Sequence, residues 1–210
     1  LPGGLSVNTG TGAITGTPTS AGSFSVPISA TNATGTGQAT LSLTIAKATP
    51  VITWANPAGI TYPAALSATQ LNASCGVTGS FAYTPALGTV MNAGASGTLA
   101  VQFTPTDTAN YNNASANVTI NVTKGAPVVT WANPADITYP AALSGTQLNA
   151  TANTVGSFVY TPVNGTMLNA GASQTLSVQF TPTDTANWNT PAAVNAAINV
   201  LKGTPVISWP

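Results

Sequence analysis

The sequence predicts an all-β fold in which sandwich domains follow one another end to end. Three observations carry that expectation. A block of about 77 residues recurs: Lys47-Ala-Thr-Pro-Val-Ile-Thr-Trp54 returns as Lys124-Gly-Ala-Pro-Val-Val-Thr-Trp131 and begins again as Lys202-Gly-Thr-Pro-Val-Ile-Ser-Trp209. Within the block, apolar residues alternate with small or polar ones, the period of a strand with one buried face. Thr, Val, Gly, Asn and Pro dominate the composition, which favours strands and turns over helices.

Residues 1–46 do not match the repeating block and read as the C-terminal part of a different domain. Residues 47–123 and 124–201 are two copies of one unit, and residues 202–210 read as the first strand of a further one. Internal matches fix the equivalence. Ile60-Thr-Tyr-Pro-Ala-Ala-Leu-Ser67 equals residues 137–144, Gly79-Ser-Phe-Ala-Tyr-Thr-Pro85 parallels residues 156–162, and Val101–Asn110 is identical to Val178–Asn187. A one-residue insertion falls between Trp188 and Ile198. Leu99, Val101 and Phe103 form one alternating run and Val118, Ile120 and Val122 another. Turn signals every 8–12 residues or so suit a sandwich or barrel. Asn164-Gly165 reads as a hairpin turn, since both residue types tolerate positive φ, with Leu87-Gly88 in its place in the other copy. The junctions are short, and Pro50, Pro127 and Pro205 each follow a lysine by three residues, a stiff joint that suits a rod. Each core of this size is marginal alone, so contact between neighbours adds stability, as in other repeat arrays.

Charge is nearly absent. Of 210 residues only Lys47, Lys124, Lys202, Asp107, Asp136 and Asp184 are charged, with no Arg, Glu or His, and the net charge is zero. Nucleic-acid binding needs a positive patch, which this chain cannot build. No apolar run approaches the roughly 18 residues of a spanning helix, so no membrane span is expected in this fragment. Hydrophobic content of 43% argues against disorder. The Leu1-Pro-Gly-Gly opening carries no signal peptide, so any targeting segment is expected to lie outside the fragment.

With these motifs laid out, residues 47–201 resemble the bacterial Ig-like repeats of large secreted and cell-wall proteins. The matching residues are Pro50-Val-Ile-Thr-Trp54, Ile60-Thr-Tyr62, Ala64-Ala-Leu66, Gln70-Leu-Asn-Ala73, Phe81-Ala-Tyr-Thr-Pro85, Gly94 and Val101-Gln-Phe-Thr-Pro-Thr-Asp107. Pro63 and Pro140 stand where that family often carries Gly. Residues 1–46 resemble the latter half of the Ig domain family of bacterial surface proteins, through Leu1-Pro-Gly-Gly-Leu-Ser6, Thr11-Gly-Ala-Ile-Thr-Gly-Thr-Pro18 and Ala21-Gly-Ser-Phe24. The resemblance implies tandem immunoglobulin-like β-sandwich domains and an extracellular place, as stalks, spacers or adhesin modules. It leaves function open, because fold does not fix function.

Candidate chemistry is sparse. Asp107 and Asp184, in Thr-Pro-Thr-Asp-Thr-Ala-Asn, read as turn or Asx residues against a calcium reading that wants several carboxylates. Without His or Glu there is no set for acid–base or nucleophilic catalysis, so no enzyme activity, cofactor or metal centre is expected. A Lys–Asn isopeptide cross-link, through the lysines and Asn121 or Asn199, is weighed against plain exposed lysines. Trp54, Trp131 and Trp209 read as packing residues rather than sugar platforms. Tyr111 and its counterpart Trp188, in a loop, are the better ligand or interdomain-contact candidates, together with Asp107 and Asp184, against a structural corner role for the two aromatics that is favoured. Cys75 reads as a small buried thiol. Sequons at Asn32, Asn72, Asn113, Asn117, Asn121, Asn149 and Asn164 are chemically available for glycosylation.

The expected function is structural: a rigid extracellular rod in a surface filament or adhesin stalk, with other copies of itself or neighbouring Ig-like domains as partners. Val206, Ile207 and Trp209 are a candidate self-assembly strand that could add to an incomplete sandwich. Two alternatives stand beside it. One is a module binding a glycan or host protein through loops 107–113 and 184–190. The other is a passive spacer in a large secreted enzyme.

Overall fold

The computed structural model describes residues 1–209; Pro210, the last residue of the expected strand 202–210, lies outside them. Among the described residues the chain is all-β, built as immunoglobulin-like sandwich domains in tandem. It divides into two compact units. The first comprises Leu1–Ala58, Leu66–Thr89 and Ser96–Ile120; the second comprises Gly59–Ala65, Val90–Ala95 and the residues from Asn121 on.

The first unit opens with two hairpins. Strand β1 (Leu5–Val7) pairs with β2 (Ile14–Gly16), and β3 (Gly22–Asn32) pairs along its whole length with β4 (Gly35–Ile45). The tight β3–β4 connection is held by Asn32, whose Oδ1 accepts the Thr34 N–H at 2.9 Å and its hydroxyl at 2.7 Å. Such side-chain turns are the standing use of Asn. Next come β5 (Ile52–Thr53), β6 (Ile60–Thr61), β7 (Ser74–Cys75), β8 (Gly79–Thr84), β9 (Gly94–Pro105) and β10 (Ala114–Thr123). The second copy repeats them as β11 (Val129–Thr130), β12 (Ile137–Thr138), β13 (Thr151–Ala152), β14 (Gly156–Thr161), β15 (Gly171–Pro182) and β16 (Val194–Leu201).

In the second copy β11 and β13 form a short antiparallel pair, facing a four-stranded sheet in the order β12-β16-β15-β14. Its β12 runs parallel to the end of β16, and its other pairs are antiparallel. The core between them follows the alternation: Leu176, Val178, Ala196 and Ile198 point inward with Trp131, Leu143, Leu148 and Ala150. Phe158 and Phe180 face each other in register with ring centroids 4.9 Å apart, and the first copy repeats this with Phe81 and Phe103. Gly156 sits under Phe180 because a Cβ there would collide with the ring and with the Thr181 carbonyl.

Trp54 and Trp131 are packing residues, whereas Trp209, expected to pack as well, is 92% exposed because no strand forms around it. Trp131 is buried, its edge against Tyr160 at 5.3 Å, and its Nε1–H donates to the Gln147 carbonyl at 3.0 Å. Trp54 does the same with Tyr83 and Gln70 but is only half-buried. The buried Gln147 is satisfied as well: its Oε1 accepts from the Ser144 N–H and hydroxyl, as a buried polar group must be.

Two local expectations differ from the structure. Asn164-Gly165 does form a turn, closed by Thr166 N–H to the Val163 carbonyl, but only Gly165 has positive φ. It is not a two-residue hairpin of the primed kind, because Met167 pairs with Ala142 rather than back on β14. The Leu143 N–H and carbonyl capture the turn instead, so the competing strand partner decided its type. Cys75 is half-buried rather than buried, because β7 is a short strand paired with β5 only at Ile52 and Thr53.

Candidate functional site

Four of the six charged residues of this charge-poor chain, Lys47, Asp107, Lys124 and Asp184, gather at one recurrent loop. After β9 and again after β15, the chain runs Thr-Pro-Thr-Asp-Thr-Ala-Asn. In the first unit Asp107 Oδ1 accepts the N–H groups of Ala109 and Asn110, both at 3.1 Å, and Oδ2 accepts Asn110 Nδ2–H at 2.7 Å. The carboxylate thus closes the turn and fixes the carboxamide. With its amide nitrogen spent on Asp107, Asn110 presents Oδ1 outward, where it accepts the Ala21 N–H at 2.7 Å. The Asn110 carbonyl accepts the Ala48 N–H, and Asn112 N–H donates to the Ala48 carbonyl. Lys47 donates Nζ–H to the Thr108 carbonyl at 2.7 Å. Tyr111, half-buried, bridges in parallel to Ala48.

The second unit contains the same device. Asp184 holds Asn187 through its backbone N–H at 3.1 Å and its Nδ2–H at 2.8 Å. The buried Asn187 carboxamide accepts the Ala93 N–H at 2.7 Å and donates to Asn92 Oδ1 at 3.3 Å. Gly125 takes the place of Ala48, and Lys124 donates to the Thr185 carbonyl at 2.6 Å. Trp188 stands edge-on to Tyr62, centroids 5.4 Å apart and planes at 89°. Gly125 lies between that indole and the Tyr62 carbonyl, with no room for a Cβ. An aromatic pair of this geometry adds about 0.5–1.5 kcal/mol beyond its buried area.

Each Asp carboxylate is occupied by donors of its own loop, and no group of three or more acidic, Cys or His side chains that could hold a metal ion exists among the described residues. Of the lysines expected as cross-link candidates, Lys47 and Lys124 donate to loop carbonyls, while Asn199 donates to Asp136 Oδ1 at 3.0 Å. Val206, Ile207 and Trp209 are 94%, 89% and 92% exposed, and residues 202–209 form no strand. An apolar cleft of about 920 Å³ opens between the two N-terminal hairpins, walled by Val7, Ile14, Val26, Ile28 and Leu41, with no titratable side chain in it. What the sequence did not mark is the partner set of the loop. Ala93 and Ala21 contribute only a backbone N–H, and Tyr62 and Gly125 acquire a role through packing.

The loop has an acid dependence. The Asn110 side chain and backbone hold the Asp107 carboxyl below its usual value, and the Asn187 side chain does the same for Asp184. A carboxyl lowered in the folded state contributes stability that is present above its unfolded pKa, near 4. That stability is lost as pH falls through the lower folded value. The expected outcome is a loop closed from neutral pH to about 4 and opening below it, read by NMR on the Ala21 and Ala93 amide shifts. The sandwich core should persist, because the chain has no Glu or His to protonate. In Asp184→Asn the Ala93 shift should lose its acid step; a step centred well above pH 5 would count against this origin.

Residues 1–46 match the family model described as "Putative Ig domain". No curated protein matches the chain. No helix among the described residues is long and apolar enough to cross a membrane.

Proposed function

We propose that this chain is an extracellular structural protein, a rigid rod of Ig-like repeats forming part of a surface filament or adhesin stalk. The observation that carries the reading is the recurrent loop: the same Asp-x-x-Asn turn is built twice, and each time the Asn carboxamide oxygen accepts a backbone N–H from a distant part of the chain, Ala21 in one case and Ala93 in the other. A binding loop would leave donors, acceptors or an aromatic face free for a ligand, whereas Asn187 is buried and Trp188 is spent on Tyr62. The Ig-like match at residues 1–46 supports a surface-protein module. The partners are neighbouring Ig-like domains and other copies of the chain. A surface of Thr, Ser, Asn and Ala packs on its own kind with little charge desolvation.

Electron microscopy of the intact native protein, on cells and after shedding, tests this. Fibres or tethered stalks with an axial repeat of whole domains are expected. A compact particle carrying a catalytic domain, with the repeats folded around it, would overturn the reading in favour of a spacer.

A further inference from the structure

The second copy carries the same receiving residues as the first, but they are uncovered. Tyr139 is the counterpart of Tyr62, Asn169 and Ala170 of Asn92 and Ala93, and Gly203 of Gly125. Their backbone is set in the same way. The Tyr139 N–H donates to the Leu201 carbonyl at 2.9 Å as the Tyr62 N–H donates to Thr123 at 2.9 Å. Gly203 lies against the Tyr139 carbonyl, where a Cβ would collide, as Gly125 lies against that of Tyr62. Yet Tyr139 is 46% exposed, Ala170 is exposed, and the Ala170 N–H has no partner among the described residues.

We propose that Tyr139, the Ala170 N–H and Gly203 form a receiving surface for the Asp-Thr-Ala-Asn-aromatic loop of a further unit of this repeat, continuing from Lys202. This inference rests on the tandem-repeat reading above and names the partner of that architecture. The chemistry of the occupant follows from the filled site. It must bring a carboxamide oxygen, fixed by its own Asp, to the Ala170 N–H. It must also bring an aromatic edge to Tyr139, and a backbone carbonyl and N–H to Gly203. A second copy of the chain cannot supply it, because Asn110 and Asn187 are already committed to Ala21 and Ala93. The occupant must also begin at Gly203, whose place against Tyr139 is already set. Lys202 then stands where Lys47 and Lys124 stand, ready to donate to a carbonyl of the incoming loop.

The test extends the chain after Lys202 with a second run of residues 125–201 and follows amide hydrogen exchange by NMR. In the 1–210 chain Ala170 should exchange fast and Ala93 slowly. In the extended chain Ala170 should slow by about 10-fold or more, the equivalent of one buried hydrogen bond. Replacing the appended Asn equivalent to Asn187 by Ala should return Ala170 to fast exchange and leave Ala93 protected. Three results would overturn the proposal: Ala170 unprotected in the extended chain, protection that survives the Asn→Ala change, or concentration-dependent protection in the 1–210 chain, which would assign the surface to a second copy. None of these depends on whether native protein forms fibres, so the two readings fail separately.

Discussion

Phe180→Ala is expected to destabilise the second copy by about 3–5 kcal/mol, the range for aromatic truncation in a core. The side chain is only 1% exposed and stands in register with Phe158 at a centroid distance of 4.9 Å. The cost of such a change depends on how far neighbours can collapse into the void. Here they cannot readily do so. The residue beneath the ring is Gly156, which has no side chain to swing in, and its backbone is fixed by pairing with Pro182. Phe103→Ala should behave alike over Gly79, since the same contact is built there. Urea unfolding followed by far-UV circular dichroism reads the shift in midpoint. A loss below about 1 kcal/mol would mean that the two sheets close over the gap.

Trp131→Ala is expected to cost a similar amount, about 3–5 kcal/mol, for a partly different reason. Besides the void, it removes the Nε1–H donor from the Gln147 carbonyl and the edge that rests on Tyr160. Tyr160 is itself tied down through its hydroxyl, which accepts the Ala150 N–H at 2.9 Å. Loss of the indole therefore loosens two elements at once. Trp131→Phe separates the contributions, keeping most of the ring while leaving the carbonyl unpaired, and should cost about 1–3 kcal/mol. Trp54→Ala should cost less than Trp131→Ala, because Trp54 is half-buried where Trp131 is 8% exposed. Equal losses at the two positions would show that burial does not set the difference.

The core was legible because strand periodicity is a local property. Leu176, Val178 and Phe180 announce their buried face by alternation alone, and the internal repeat transfers that reading from one copy to the next. The placement of Trp54 and Trp131 in packing followed from their position inside an alternating run. The joint loop was legible only in half. Asp107 and Asp184 read correctly as turn-closing residues because an Asx turn is written in four consecutive residues. Their effect on Asn110 and Asn187 was not, because the groups those carboxamides reach are backbone N–H groups of Ala21 and Ala93, distant in sequence and unmarked by any side chain. The pairing of Trp188 with Tyr62 was hidden for the same reason: each residue looks like an isolated loop aromatic until the fold brings them together. The turn at Asn164-Gly165 shows the opposite limit. A strong local signal placed the turn, and Leu143, from another part of the chain, chose its type.

The scarcity of charge has a consequence for how the protein meets proteases. Trypsin cleaves only after Lys or Arg, and this chain offers three such bonds, after Lys47, Lys124 and Lys202. The first two lie in the clasped loops, where the ammonium groups are donated to Thr108 and Thr185 and the following residue is hydrogen-bonded on both sides. Cutting there requires the clasp to open first, so digestion rate reports the closed fraction of each joint rather than the stability of a sandwich. When a cut does come, it falls at the start of a repeating block, after Lys47 or Lys124. Each repeating block thus carries its basic residue only at its start, and the hydrogen bonds of the Asp-x-x-Asn loop guard that position.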